Sequence, residues 1–357
     1  RAVMRDHGFA EDRFQAIDDL LDELAAAFVS EASLAFAAQA AIRSLEPGTL
    51  FCGHRIIREL GRGAMGIVYL AELPTIGHQI ALKILNVAHV EDPLIKLRFE
   101  REARLLSQLD HPGIVPLYSY GEDKGTRYLV MKAIHGISLA EMMFGQNPAS
   151  PVAHLLRDLK TPERLELIRS IAIQLTEAMQ SVHQAGILHR DIKPSNVLLT
   201  DVGKVFLTDF SLARTEHVDS DLTSQHEFIG TLRYAAPESL DGVWTAQTDL
   251  YSLGLVLLEL CTLNPSFATR TRRELLKQKL DDTLLQKTID ASPISAPLRR
   301  IVRKLTKFNP EDRYPSAADV LTDLKKLDFN EPLAAPSLNL RSMAAGLVGL
   351  TVIGLLV

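Results

Sequence analysis

Cysteine is nearly absent: Cys52 and Cys261 are the two in 357 residues. They build no disulfide framework and match no metal-ligand spacing, so a fold held by packing in a reducing compartment is expected. Excess positive charge is missing too. Against 39 Lys and Arg stand 44 Asp and Glu, a formal net charge of −5, which argues against a general nucleic-acid binder. The glycine-rich part of the chain holds no G-x-x-x-x-G-K-[ST]. Hydrophobic residues make up 46% and charged ones 23%, the balance of a soluble globular chain with a sizeable core. Charge vanishes altogether from Met343 to Val357. That run is shorter than the roughly 20 residues that span a bilayer. It meets the chain end with nothing to stop it, and with Arg341 on its flank it reads as the first part of a transmembrane helix. A chain opening on Arg and ending in such a run is expected to be a piece of something longer.

What is present comes in a definite order. Phe14, Ile17, Leu21, Leu24 and Phe28 recur at spacings of three and four with acidic residues between them, which predicts a helical extension over residues 1–46. Pro47-Gly48 breaks it. A strand through Ile56–Leu60 then leads into Gly61-Arg62-Gly63-Ala64-Met65-Gly66, and Ile67-Val68-Tyr69-Leu70 continues as a second strand. A dinucleotide-binding turn has a helix after its last glycine. This one is expected to be a flexible hairpin whose amides can lie over phosphates. Ile80-Ala81-Leu82-Lys83-Ile84-Leu85 is an apolar strand with one lysine, which alone reads as a residue on a solvated edge. A helix over 94–109 offers Glu100 and Glu102, and strands follow at 115–120 and 126–131. A short helix starts at Ser138, residues 146–161 read as a surface loop, and 163–185 as a long amphipathic helix.

That helix delivers the chain to Leu188-His189-Arg190-Asp191-Ile192-Lys193-Pro194-Ser195-Asn196, which sets a carboxylate, an amine and a carboxamide between two apolar runs. A polar turn between strands is the plain alternative. Chemically, Asp191 can accept a hydroxyl proton, Lys193 can neutralise a transferring phosphate, and Asn196 can give an oxygen to a metal. Phosphoryl transfer needs those parts, because its catalysis is mostly positioning and charge stabilisation. A hairpin follows and ends at Asp209-Phe210-Ser211.

His189 to Asn196 resembles the H-R-D-x-x-x-x-N catalytic loop of protein kinases, and Asp209 matches the metal-binding Asp of their D-F-G motif. The resemblance covers about residues 54–328 and looks closest to the membrane-anchored, eukaryotic-like serine/threonine kinases of bacteria. It implies an α+β, two-lobed fold: a small N-terminal β-sheet lobe with one helix (54–132), a larger, mainly α C-terminal lobe (135–328), and ATP between them. The nucleotide would meet Leu60, Gly61, Gly63, Gly66, Val68, Ala81 and Lys83, with Met131 as gatekeeper and Ala133 as hinge. Glu102, chosen over Glu100 because Phe99, Ala103, Leu109, His111 and Pro112 fit the family pattern around it, would partner Lys83. Asp191 would act as base and Lys193 as phosphate stabiliser, while Asn196 and Asp209 hold Mg²⁺, with Mn²⁺ as the alternative cation.

Further along, residues 212–229 resemble an activation loop, and a phosphate there would pair with Arg190. Gly230-Thr231-Leu232-Arg233-Tyr234-Ala235-Ala236-Pro237-Glu238 resembles the G-T-x-x-Y-x-A-P-E close of serine/threonine kinases, with Thr231 lining the acceptor pocket. Asp249 would brace the catalytic loop, and Arg313 would pair with Glu238. The implied activity is transfer of the γ-phosphate of Mg-ATP to Ser or Thr of protein substrates. A homodimer would serve autophosphorylation, and nucleic acid has no part. The kinase domain would be cytoplasmic, joined by a juxtamembrane linker (329–342) to the membrane segment (343–357). Ser211 departs from the family's Gly and favours the second reading, a nucleotide-binding pseudokinase scaffold. A small-molecule phosphotransferase of related fold would lack the loop and close that residues 212–238 resemble.

Overall fold

The computed structural model describes residues 44–63, 66–85, 93–123, 125–145, 156, 161–210, 232–267, 269 and 271–327. The expected N-terminal extension up to residue 43, Ser211 and the activation loop, Thr231, the linker and the apolar C-terminal run lie outside them, and residues 44–46, read as the end of the helical extension, are not helical.

The first half is a six-stranded antiparallel sheet with one helix against it. Its strands are β1 (Leu50–Phe51), β2 (His54–Gly63), β3 (Gly66–Leu73), β4 (His78–Leu85), β5 (Leu117–Asp123) and β6 (Thr126–Lys132), in the order β1-β2-β3-β4-β6-β5. Helix α1 (Pro93–Ser107) packs beside β5. Alternation along the strands splits their side chains into two sets. Ile67, Tyr69, Ile80, Leu82, Ile84 and Val130 form a cluster on one face. Ala81, Leu85, Leu129 and Met131 join the main core on the other. Strand β4 is therefore buried on both faces, and that is why it reads as a continuous apolar run.

The second half is mainly helical. A small sheet of β7 (Ile137–Ser138), β8 (Val197–Leu199) and β9 (Val205–Leu207) lies where the halves meet. Helix α2 (Leu139–Phe144) starts at Ser138, whose Oγ accepts the amide of Glu141. Helix α3 (Thr161–Gln184) passes under β9, and Gln174 pins the β8–β9 hairpin by donating to the carbonyl of Gly203 and accepting from the amide of Val205. At the centre stands α4 (Ala246–Thr262), buried along almost its whole length. Helices α5 (Arg272–Leu280), α6 (Asp282–Ala291), α7 (Ala296–Leu305) and α8 (Ala317–Lys326) complete the lobe. At Gly254 a Cβ would lie 2.7 Å from Thr306 Cγ2 and 2.8 Å from Leu305 Cβ, so glycine lets α4 and the end of α7 close up.

Two expectations change. Leu156, within the stretch read as a surface loop, is helical and fully buried, because an apolar side chain there finds the core. Helices α5 to α7 occupy a stretch for which no elements were expected; α5 has charged residues at nearly every exposed turn, which blurs its period.

Candidate active site

The glycine hairpin is built by β2 and β3, which pair Gly63 with Gly66 across its tip. Gly66 has φ +137°, and a Cβ there would collide with the Ile84 carbonyl of β4. That glycine is demanded by the sheet itself. At Gly61 and Gly63 a Cβ would meet nothing within 4 Å, so close approach by another part of the described chain does not explain them. They leave an open backbone ledge of the kind a polyphosphate can approach. Leu60 is exposed beside it.

Lys83 does not sit on a solvated edge. It lies on β4, between β3 and β6, opposite Val68 and Leu129, and is only 6% exposed. Ala81 and Met131 pair one step along the same face, and Ala133 follows the end of β6, half-buried. A cavity lined by Lys83, Leu106, Met131, Thr208, Asp209 and Phe210 opens between this face and the β9 end. An apolar, concave wall with one buried ammonium suits a planar base joined to phosphates.

The catalytic loop is held from below by α4. Asp249, in its first turn, is 2% exposed. It accepts the backbone N–H of His189 at 2.8 Å and of Arg190 at 2.9 Å, while His183 Nε2 lies 2.9 Å from its Oδ2. Burial pushes the Asp249 carboxyl up, but the hydrogen bond and charge of His183 together with those of His189 outweigh it and leave the pKa below the ordinary value. His189 is also buried. Its Nε2 lies 2.9 Å from the Thr208 carbonyl, and its Nδ1 accepts the Asp191 amide at 3.3 Å. These partners select the Nε2–H tautomer. Desolvation lowers the His189 pKa against the upward pull of Asp249 and Asp191, keeping the ring neutral.

Asp191, Lys193 and Asn196 converge. Lys193 Nζ is 2.8 Å from Asp191 Oδ2, and Asn196 Nδ2 donates to the same oxygen at 2.9 Å and to the Asp191 carbonyl at 2.8 Å. The carboxamide is thereby oriented with its nitrogen committed to Asp191 and its oxygen turned the other way. Thr208 N donates to the Asn196 carbonyl at 3.0 Å, tying the strand before Asp209 to the loop. Mg²⁺ keeps waters and substrate phosphates among its ligands and needs only one or two protein oxygens. The Asn196 Oδ1 and the Asp209 carboxylate fit that donor set.

Two ion pairs differ from the expected set. Lys83 Nζ pairs with Asp209 Oδ1 at 2.7 Å instead of with Glu102. The Glu102 carboxylate on α1 reaches Arg190 Nη1 at 3.5 Å. The physical reason is geometric: the Asp209 carboxylate lies at contact distance from the Lys83 ammonium, while the Glu102 carboxylate is turned to Arg190.

A protein kinase domain model matches residues 54–324. The chain belongs to the protein kinase family. Serine/threonine-protein kinase PrkC of Bacillus subtilis is 33% identical over 274 residues, covering 76% of this chain and 40% of PrkC. The kinase domain thus spans under half the length of that curated relative. The crystal structure of the Mycobacterium tuberculosis PknI kinase domain matches at TM-score 0.57 and 27% identity, over 79% of this chain and 99% of that one. Rad53 1-466 in complex with AMP-PNP matches at TM-score 0.60 and 27% identity, over 76% of this chain and 64% of that one. The two-lobed α+β kinase fold is common to all of them.

Elsewhere in this kinase domain, Arg313 places both guanidinium nitrogens on Glu238, at 2.6 and 2.7 Å, and donates to the carbonyls of Lys307, Phe308 and Gln247. Thr231 lies outside the described residues. Sequence reasoning missed His183, Ser252, Glu259 and Lys279. Ser252 Oγ donates to the Tyr234 carbonyl at 2.8 Å, and Tyr234 Oη donates to Glu259 at 2.6 Å. The available signal was polarity out of place: Ser252 and Glu259 interrupt the mostly apolar stretch from Leu250 to Cys261 of α4, where a polar group is retained only with a partner.

Proposed function

We propose that this chain is an ATP-dependent serine/threonine protein kinase. The observation that carries the reading is the loop triad, in which one oxygen of the Asp191 carboxylate receives both Lys193 and Asn196. In the proposed reaction Asp191 orients the acceptor hydroxyl and takes its proton. The hydroxyl oxygen forms the new bond to the γ-phosphorus, the bond from that phosphorus to the β,γ-bridging oxygen breaks, and ADP departs. Lys193 neutralises charge on the phosphoryl group in flight. Lys83 turns its ammonium from Asp209 to the nucleotide phosphates. A bound Mg²⁺ would supply charge neutralisation, and Asp209 and Asn196 are the residues that would hold it.

AMP-PNP in Rad53 and the names of the relatives support nucleotide use and Ser/Thr acceptors. They weigh against the scaffold reading, which Ser211 alone favours. Phosphate incorporation from Mg-ATP should be measured for the unmutated chain, Asp191→Asn and Asp209→Ala. Transfer by the unmutated chain alone is expected. Equal inactivity of all three with retained ATP binding would establish the scaffold instead.

The finer reading adds a cytoplasmic kinase domain anchored by the segment beginning at Met343, with dimers serving autophosphorylation. No helix among the described residues is long and apolar enough to cross a membrane, and the charge-free run lies outside them. Support comes from that run and from Arg341 before it. Cosedimentation of the chain with lipid vesicles, lost on deletion of 343–357, tests the anchor. An autophosphorylation rate that rises with the square of enzyme concentration tests the dimer.

A further inference from the structure

Lys279, on α5, is 2% exposed. Its ammonium lies 4.6 Å from the centroid of the Phe267 ring and 5.3 Å from that of Tyr251, and donates to the Ala235 carbonyl at 2.7 Å. No carboxylate of the described residues stands at ion-pair distance from it. Burying an ammonium without a carboxylate is expensive, and the mechanism above does not use this one. Desolvation pulls its pKa well below the ordinary lysine value, against a weaker upward pull from Glu259. Either protonation state keeps an N–H for the Ala235 carbonyl, so the retained feature is the hydrogen bond.

Ala235 lies in the segment Leu232–Ala236, just before the 3₁₀ turn Pro237–Asp241. The residue before it is fixed by α4 through Ser252 and Glu259, and Glu238 after it by Arg313. The same α4 carries Asp249, which holds the catalytic loop. Catalytic loop and segment 232–238 are therefore set in register by one helix, and Lys279 adds a tether from a second helix at the point between the other two.

We propose that Lys279 is a positioning residue for the protein acceptor: by fixing the Ala235 carbonyl through α5, it holds the segment against which the acceptor peptide lies in register with Asp191. The proposal rests on the kinase reading. It predicts that loosening Lys279 raises the acceptor KM and leaves nucleotide binding alone, since its contacts among the described residues are Ala235, Tyr251 and Phe267, away from the nucleotide side.

The test uses the full chain and its Lys279→Met variant, which keeps the length of the side chain and removes the donor, with dephosphorylated casein as acceptor. The acceptor KM is expected to rise about tenfold, the size of one lost hydrogen bond, while the ATP KM stays within about twofold. Amide hydrogen exchange across residues 232–238 is expected to speed up in the variant, with exchange across the catalytic loop unchanged. Equal rises in both KM values would mean general loosening and overturn the proposal, as would unchanged exchange at 232–238. If the unmutated chain transfers no phosphate to casein or to itself, the kinase reading fails, and the exchange result still reports on the tether.

Discussion

At the scale of single residues, the active centre is held in an unfavourable backbone state. Arg190 has φ +62° and Asp209 φ +58°, the left-handed region that costs a non-glycine residue about 1–3 kcal/mol. Asp249 offsets the first by taking two consecutive amides at once. Asp249→Asn can present only one accepting oxygen, so one buried donor goes unmet. We expect a stability loss of about 1–3 kcal/mol, read by thermal unfolding, and a fall in kcat larger than any rise in the ATP KM. His189 gives the pH dependence. Its folded pKa is lowered by burial, so below the ordinary value of 6.5 the unfolded chain binds the proton first and acid favours unfolding. That contribution is complete at neutral pH and is lost as pH falls below about 6.5. His189→Gln, which can still donate to Thr208, should show a shallower decline in urea midpoint between pH 7 and 5.5.

At the scale of elements, the glycine hairpin separates structural from ligand-facing demands. Gly66→Ala drives a methyl group into the Ile84 carbonyl at a positive φ, so it should lower the melting temperature clearly and impair activity as a consequence. Gly61→Ala meets open space. Its melting temperature should hold within experimental error while the ATP KM rises; an unchanged KM would remove Gly61 from the nucleotide site. The pair between Glu238 and Arg313, whose side chain is fully buried, joins the 3₁₀ turn Pro237–Asp241 to the 3₁₀ turn Pro310–Asp312. Arg313→Met strands a carboxylate and three carbonyls. A loss of about 3–5 kcal/mol follows from uncompensated buried charge, and chemical denaturation would measure it.

At the scale of the whole molecule, two ion pairs of the described residues cross between the lobes. Lys83 on β4 meets Asp209, and Glu102 on α1 meets Arg190. Each links the sheet lobe to the catalytic side and so couples the lobes. On the proposed reading, Mg-ATP should raise the unfolding free energy by about 2.7 kcal/mol at a hundredfold excess over Kd. The shift should shrink sharply in Asp209→Ala, which removes the proposed metal ligand and the Lys83 partner together. A full-sized shift in that variant would move the metal site elsewhere.

Much of this protein is legible in one dimension. The order of glycine hairpin, strand lysine, catalytic loop and Asp209 follows from local pattern, because each motif needs particular residue types at short, fixed spacing. The apolar β4 and α4 announce burial by composition alone. Partner choice is another matter. Lys83 and Asp209 are 126 positions apart, and whether Lys83 meets Asp209 or Glu102 depends on how the lobes and α1 sit, which no local spacing encodes. The same holds for Lys279 and Ala235, 44 positions apart. On a charged helix such as α5 a lysine looks solvated, and only packing against Tyr251 and Phe267 takes it out of water. Local chemistry fixes which groups are available; tertiary packing decides which are desolvated and therefore which must find each other.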